Sequence, residues 1–517
     1  MATTLARSPQ PAAPERQHEV NRWLTLSVLC ASLLVIVVDN TIVNVALPTL
    51  TQELKTSISD LQWVVDAYTL VFAGLLLTMG SLGDRFGRRG ALTLGLIIFG
   101  TASFIASQSS TVGQLVTWRA VMGLGAALIM PATLSILTNV FTVPRERAIA
   151  IGIWSGVAGL AVALGPVAGG FLLAHFSWGS IFFVNVPIVA AALLAGRFLI
   201  PTSRDEAAPR LDVLGSLLSI AGLGTLVWTL IEAPSAGWLS TQTIVGASLA
   251  ATALALFIRH EATTDAPLLD LEVFRNPRFS AASAAITLVS FALFGFIFMA
   301  TQYLQFVLGY SALAAGVHTL PFAGAAMVTA PASAKLAERF GTKRLVSLGL
   351  LSFALGLTIA ATSGVHTGYT RIWIAMVFMG GGMGLAQAPA TESIMGSLPK
   401  EKAGVGSAVN DTTRELGGAL GVAVIGSIMA SLYTSKLNET TGALPAPIRR
   451  TAGDSLGAAL AVSHRLGADG TGLAAAAREA FVHAMTRASL VTAGFAVIGA
   501  LVAYRWLPAH AADVDDE

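Results

Sequence analysis

Residues 23–47 form one long apolar run that carries a single charge, Asp39. A helix rises about 1.5 Å per residue, so such a run is long enough to cross the roughly 30 Å hydrocarbon core of a bilayer. Runs of this kind recur along the whole chain, and nothing else constrains its fold as strongly. In lipid every backbone polar group must be satisfied internally, which leaves only helices or closed barrels. Unbroken runs of about 20 apolar residues select helices. The segments that qualify are 23–47, 62–82, 91–108, 112–138, 148–173, 178–200, 212–232, 241–259, 280–307, 312–334, 343–363, 371–395, 404–431 and 485–507. The expectation is an all-α membrane protein with fourteen transmembrane helices.

Composition agrees. The chain of 517 residues is 54% hydrophobic and 12% charged, whereas a soluble domain carries about 25% charged residues. The net charge of +2 is spread in short punctuating clusters, which gives nucleic acid no basic patch to bind. Cys30 is the only cysteine, so no internal disulfide can form. The first run is longer than the roughly 7–15-residue core of a cleavable signal. It reads as a retained helix behind a polar tail, 1–22.

Lys and Arg set the orientation, because cytoplasmic loops are enriched in them. With the N-terminus inside, the inner segments hold Arg85, Arg88, Arg89, Arg145, Arg147, Arg339, Lys343, Arg344, Lys400 and Lys402, while the short outer loops hold only Lys55 and Arg371. Both termini are then expected in the cytoplasm, and the long loop 432–484 outside. Its stretches 452–466 and 471–487 have helical apolar spacing, which predicts an ordered loop.

The chain also repeats. "GSLGDRFGRRG" (80–90) matches "ASAKLAERFGTKR" (332–344), with Phe86-Gly87 over Phe340-Gly341 and Arg85 over Arg339. "MPATLSILTNVFTVPRERA" (130–148) matches "APATESIMGSLPKEKA" (388–403). Spans 1–6 (23–200) read as one half and spans 9–14 (279–507) as the other. Spans 7 and 8 (201–278) are an insert, and 508–517 a cytoplasmic tail. Repeated halves with a binding site at their interface are a transporter architecture.

At these motifs the chain resembles the major facilitator superfamily, in its fourteen-span drug:proton antiporter group. The loop carries Gly80, Asp84, Arg85, Gly87 and Arg88 of the superfamily signature. "LVTWRAVMGLGAA" (115–127) resembles the fourth-helix motif, with Arg119. "GVAGLAVALGPVAGG" (156–170) resembles the fifth-helix antiporter motif, with Gly156, Gly165, Pro166 and Gly170. "VVDNTIVNVALP" (37–48) resembles the first-helix motif of the group. "WVVDAYTL" (63–70) and "GVGSAVNDTTRELGGALG" (404–421) are similar to exporters of quaternary ammonium compounds. The resemblance implies a major facilitator fold. It implies a latch around Asp84 and a bendable, tightly packed fifth helix. The word antiporter comes from the resemblance alone.

The buried charges carry the functional reading. A charge at mid-bilayer costs about 2.5–3.5 kcal/mol on insertion scales, so each needs a partner or a job. Asp39 and Arg119 match in depth. They form either a fold-fixing ion pair or a pair that opens when Asp39 takes a proton; Arg119 stays charged in both states. Asp411 and Glu415 are spaced i, i+4 and share a helix face. Two such carboxylates resist ionising together, which suits a site that exchanges a proton for a cation. Arg414, about 100° round the helix from Glu415, is expected to leave the pair less than fully neutralised. Asp66, with Trp63 and Tyr68 nearby, is a further candidate for substrate binding. Glu392, nearer the inner end of its span, is a weaker one. Phe291, Phe294, Phe298, Tyr303 and Phe306 read first as a packed or lipid-facing stripe.

No P-loop, HExxH or CxxC pattern occurs. ATP hydrolysis and metal catalysis therefore have no visible machinery, and no cofactor is expected. The reading is a proton-driven exporter of lipophilic cations in the plasma membrane, its partners being protons, cationic small molecules and the bilayer. An exporter of an endogenous metabolite, antibiotic or lipid keeps the same fold. Uptake is opposed only by the glycine–proline motif, and a non-transporting receptor by the repeat and the staggered acids.

Overall fold

The computed structural model describes residues 21–202, 212–265, 267–398, 403–442 and 444–507. The described residues form helices joined by short turns, with no strand among them. The first group is α1 (Arg22–Leu54), α2 (Ile58–Phe86), α3 (Arg88–Ala106), α4 (Val112–Val140), α5 (Pro144–His175), the single turn α6 (Ser180–Phe183) and α7 (Asn185–Leu199). Then come α8 (Val213–Ala236) and α9 (Thr241–Glu261). The last group is α10 (Pro277–Gln302), α11 (Ala312–His318), α12 (Leu320–Phe340), α13 (Thr342–Ala361), α14 (Thr370–Met395), α15 (Ala403–Thr440), α16 (Ala446–Asp454), α17 (Leu456–Leu466) and α18 (Thr471–Trp506). A π turn, Tyr303–Val307, prolongs α10.

Local chemistry starts and stops these helices. A helix leaves its first four N–H groups without partners, and short polar side chains before it take them up. Asn21, Thr111, Asp212, Ser240 and Ser455 do this for α1, α4, α8, α9 and α17. At α2 the cap is reciprocal: the Asp60 N–H donates to Ser57 Oγ at 3.1 Å, and the Ser57 N–H to Asp60 Oδ2 at 2.9 Å. The repeated Phe-Gly pairs end α2 and α12 in the same way. Gly87 (φ 119°) and Gly341 (φ 85°) sit where a side chain is disfavoured. Each returns its N–H to the preceding turn, at Gly83 O and Ala337 O. In each, an arginine lies over the adjacent ring, Arg85 on Phe86 and Arg339 on Phe340.

Among the described residues twelve helices are long and apolar enough to cross a membrane. α2 and α5, of 29 and 32 residues, also have the length, and the fourteen-span expectation is consistent with this set. Leu194, Phe198, Leu217, Leu249, Leu256 and Leu501 are exposed on the outside of the bundle, where a bilayer would meet them. Packing inside a membrane cannot rely on expulsion of water and uses small residues for close approach. Gly95 and Gly125 bring α3 against α4, and Gly349 and Gly382 bring α13 against α14.

The helices pack in two groups. α1 lies on α5, α4 on α2 and α3; α14 lies on α12 and α13, and α15 and α18 on α10. α8 and α9 pair with each other, and α8 also touches α2 and α15. The two groups meet chiefly where α2 faces α15 and where α5 faces α11. At the second contact Gly170 of α5 sits on the backbone of Ala312 and Leu313, and Gly316 of α11 on that of Pro166.

The stretch 432–484 is helical through most of its length. α15 continues to Thr440, and α18 starts at Thr471 rather than near residue 485, running unbroken to Trp506. Between them α16 and α17 fold back as a hairpin. Tyr433 Oη donates to Ala452 O at 2.9 Å, and Ser455 Oγ to Thr56 O at 3.2 Å. Gly457 packs on Thr51 and Phe306. The hairpin therefore rests on the α1–α2 connection and on the end of α10. Most of the terminal tails 1–22 and 508–517 lies outside the described residues.

Candidate functional site

α1 and α4 bring Asp39 and Arg119 together, as their depths predict. Both are fully buried, and Arg119 Nη1 donates to Asp39 Oδ2. The rest of the shell was not legible from charge matching. Asn185 at the start of α7 donates to Asp39 Oδ1 at 2.9 Å and to Ser103 Oγ at 3.1 Å. Arg119 Nε donates to the Val64 carbonyl at 2.9 Å. The guanidinium also lies 4.3 Å from the centre of the Tyr68 ring, an arrangement favourable for a desolvated cation. An amide among the apolar residues 181–196 of the sixth span was the available signal for Asn185.

Asp66 lies on a different face of α2. One turn before it, Gln62 Nε2 crosses to α15 and donates to Ala423 O at 2.9 Å and to Val422 O at 3.3 Å. One turn after it, Leu70 packs with Val227, Ile231 and Ala423. Residues four apart share a helix face, so Asp66 sits on the side of α2 that meets α15 and α8. It is fully buried, and neither carboxylate oxygen has a hydrogen-bond partner among the described residues. Trp63 packs in the apolar cluster with Val227 and Ile231 of α8. Tyr68 is fully buried, its hydroxyl also without a partner, within electrostatic reach of Asp39, Arg119 and Glu415.

On α15 the expectation for Arg414 needs correcting. Its Nη2 is 3.1 Å from Asp411 Oδ1, and its Nε is 3.6 Å from Glu415 Oε1. The 100° step suggested separation from Glu415, but Asp411 is three residues back on an adjacent face and the long flexible side chain lies between the two acids. Glu415 is still buried, and its Oε2 has no partner among the described residues. With all three ionised the cluster carries one net negative charge. Glu392 is exposed near the end of α14, and Thr391 beside it donates to Asn410 Oδ1 at 3.0 Å. The aromatic stripe of α10 is packed inward: Phe291, Phe298, Tyr303 and Phe306 are buried. Phe294 lies against Gly418.

The motif glycines separate by role. Gly165 and Gly169 seat α5 on Thr41 and Ile42 of α1, directly after Asp39. Gly170 and Pro166 seat the same helix on α11 of the other group. Gly156 is exposed with nothing near it, Gly80 lies on Pro131, and Gly87 makes the turn before Arg88. The side chain of Asp84, the expected latch, lies outside what is described.

Membrane-length helices in two groups, with the Asp66 carboxylate buried and without a partner among the described residues where the groups meet, define a solute transporter. The model of the Major Facilitator Superfamily matches residues 29–422. The chain belongs to that superfamily and is a transporter, not an enzyme. It is 37% identical over 489 residues to the multidrug efflux pump LfrA of Mycolicibacterium smegmatis, covering 93% of this chain and 96% of that one. It is 38% identical to the tetracenomycin C resistance and export protein of Streptomyces glaucescens, over 79% and 76% of the two chains. It is 32% identical to the methyl viologen resistance protein SmvA of Salmonella typhimurium, over 89% and 93%. Among solved structures, an inward-facing bacterial homolog of the human lysosomal transporter Spinster superposes with a TM-score of 0.66 at 19% identity. That match covers 94% of this chain and 99% of the other and speaks to the fold.

Proposed function

We propose that the protein is a proton-coupled antiporter that exports lipophilic cationic drugs, among them quaternary ammonium compounds and dyes, across the plasma membrane, with both termini in the cytoplasm. The observation that carries this reading is Asp66. A carboxylate buried with no donor is costly to maintain, so it is held either as the neutral acid or against a cation. Its position between α2, α15 and α8 lets an acid from each helix group, Asp66 and Glu415, face one bound molecule. The names of its relatives support export of drugs, and methyl viologen is a flat organic dication.

The cycle follows from charge exchange. Facing the cytoplasm, the deprotonated acids attract a cation into the apolar surroundings of α2 and α15. Facing outward, protons displace it. Asp39 takes and returns a proton against the fixed charge of Arg119, and the closing of α5 on α11 seals the outer end. One proton in for one monovalent cation out moves no net charge and runs on the pH gradient alone. Each further charge moved adds about 2.3 kcal/mol per 100 mV.

Ethidium efflux from cells expressing the protein tests the reading: efflux should stop when a protonophore is added. Efflux that persists with the gradient collapsed contradicts it. Similarity to a protein named for tetracenomycin C resistance and export favours a second reading, an endogenous product as cargo. A neutral product exported at the same rate by Glu415→Gln would support that alternative.

A further inference from the structure

At the junction of the two-helix insert with the rest of the chain, three metal-ligating side chains converge that the transport reading does not use. Asp212 caps α8, its Oδ1 accepting the Gly215 N–H at 2.8 Å. His260, in the last turn of α9, places Nε2 2.8 Å from Asp212 Oδ1 and 2.9 Å from Oδ2. Glu261, the last residue of α9, is only 3% exposed. Its Oε2 accepts the Leu269 N–H at 2.7 Å. Its Oε1 is buried with no hydrogen-bond partner among the described residues.

That unpartnered oxygen is aimed at the other two groups. A side chain at Gly215 would run into both Glu261 Oε1 and Asp212 Oδ2, so the two oxygens converge on the space above this glycine. One ligand atom from each of the three residues lies within 4.8 Å of the others. We infer that Asp212, His260 and Glu261 form a binding site for a divalent transition-metal ion of the zinc class, which clamps the start of α8 to the end of α9.

The donor set selects the ion. One imidazole nitrogen with two carboxylates suits zinc and its first-row neighbours; magnesium and calcium prefer all-oxygen shells. Zinc takes such ligands at about 2.0–2.2 Å, so His260 and Asp212 need part by only a few tenths of an ångström to admit the ion between them. The Asp212 side chain is 7% exposed and that of His260 22%, which leaves a path for the ion and room for a water as fourth ligand. The bonds from Gly215 and Leu269 fix the orientation of the two carboxylates, as second partners do at metal sites.

The placement gives the ion leverage. Ser216, next to Gly215, shares a 2.5 Å hydrogen bond with Thr78 of α2. Leu269, held by Glu261, packs against the cluster of Val273 and Phe279 where α10 begins. A bound ion would tie the insert to both helix groups.

The test uses the full chain without a polyhistidine tag, purified in detergent, stripped with chelator and titrated with zinc chloride by calorimetry. One zinc per chain should bind, undisturbed by millimolar magnesium or calcium. His260→Gln and Glu261→Gln should each weaken it by about tenfold or more. A thermal-shift series runs alongside: zinc should raise the melting temperature of the unaltered protein and leave that of Asp212→Asn unchanged. Absence of saturable zinc binding by the unaltered protein overturns the inference, and would mean that the two carboxyls share a proton instead. Equal affinity in the variants, or an equal thermal shift in Asp212→Asn, overturns it as well.

Discussion

Gly170→Ala should loosen the seal between the two helix groups without touching any acid. The added Cβ would meet Leu313 Cα at 2.5 Å and the Ala312 carbonyl carbon at 2.9 Å. Ordinary contact at such a Cβ begins near 3.4 Å, so α5 and α11 must part by roughly 1 Å. Backbone cannot rotate aside as a side-chain tip can, and overpacking of this kind costs about 1–3 kcal/mol. The cost falls only on the state in which the helices touch. A two-state equilibrium should therefore shift by roughly 5- to 150-fold toward the state in which they are apart. Gln305 reports on that end of the molecule, because its Nε2 donates to Val45 O at 2.9 Å between α10 and α1. Cys30 is the only native cysteine and is buried, so Gln305→Cys can be read on a Cys30→Ala background. A membrane-impermeant maleimide added outside should label Gln305→Cys several-fold faster when Gly170→Ala is present. Gly156→Ala is the control, since nothing lies within 4 Å of that position. Equal labelling with and without Gly170→Ala would refute the seal, as would an equal rise from Gly156→Ala.

Asp39→Asn leaves Arg119 with the Val64 carbonyl and the Tyr68 ring, so the protein should remain monodisperse while gradient-driven efflux collapses; unaltered efflux rates in vesicles would contradict the role of Asp39. Arg119→Ala is the harsher change, because it leaves a buried carboxylate with Asn185 alone and should cost about 3–5 kcal/mol, read as a lost melting transition. Replacing the hairpin 446–466 by a short linker should change efflux rate or substrate range and leave cation binding in detergent measurable; complete loss of binding in a well-folded variant would place the hairpin in the site itself. Asp454 is exposed at the end of α16; partial desolvation, with Asp60 nearby, pushes its carboxyl above the ordinary value. The sign is that of a group whose neutral form suits the docked hairpin, so docking should weaken as pH rises through that value. Amide exchange in α16 and α17 should quicken accordingly, and Asp454→Asn should remove the pH dependence.

Long apolar runs, the paired Phe-Gly turns and the depth match of Asp39 with Arg119 were legible in the sequence, because each depends on local spacing or on helix rise alone. What was not legible depends on which faces meet. Asn185 and the Val64 carbonyl complete the Asp39 shell from helices whose rotation no single span encodes. Arg414 meets Asp411 as its neighbour three residues back and reaches Glu415 because three carbons of flexible chain override the 100° backbone step. Trp63 turned out to pack on α8, since the insert approaches α2 from the side that period counting leaves undefined. The hairpin α16–α17 was foreshadowed by its apolar spacing, but its docking on Thr56 and Phe306 is a long-range contact. The same motif glycines that read as one small-residue stripe divide into two sets, one for α1 and one for α11, once both neighbours are in place.

The central claim is that a cation and a proton compete for the acids between α2 and α15. Binding of tetraphenylphosphonium to the purified protein across pH 5–9 tests it most directly, with Asp66→Asn, Asp411→Asn and Glu415→Gln measured alongside. Affinity should climb as pH rises, since each proton lost from the site restores a charge that the cation can use. Asp66→Asn and Glu415→Gln should each flatten the pH slope and weaken the cation far more than a neutral substrate. Asp411→Asn should do so less, because Arg414 already neutralises much of that group. Unchanged affinity and slope in Asp66→Asn and Glu415→Gln would contradict the account and make those acids structural.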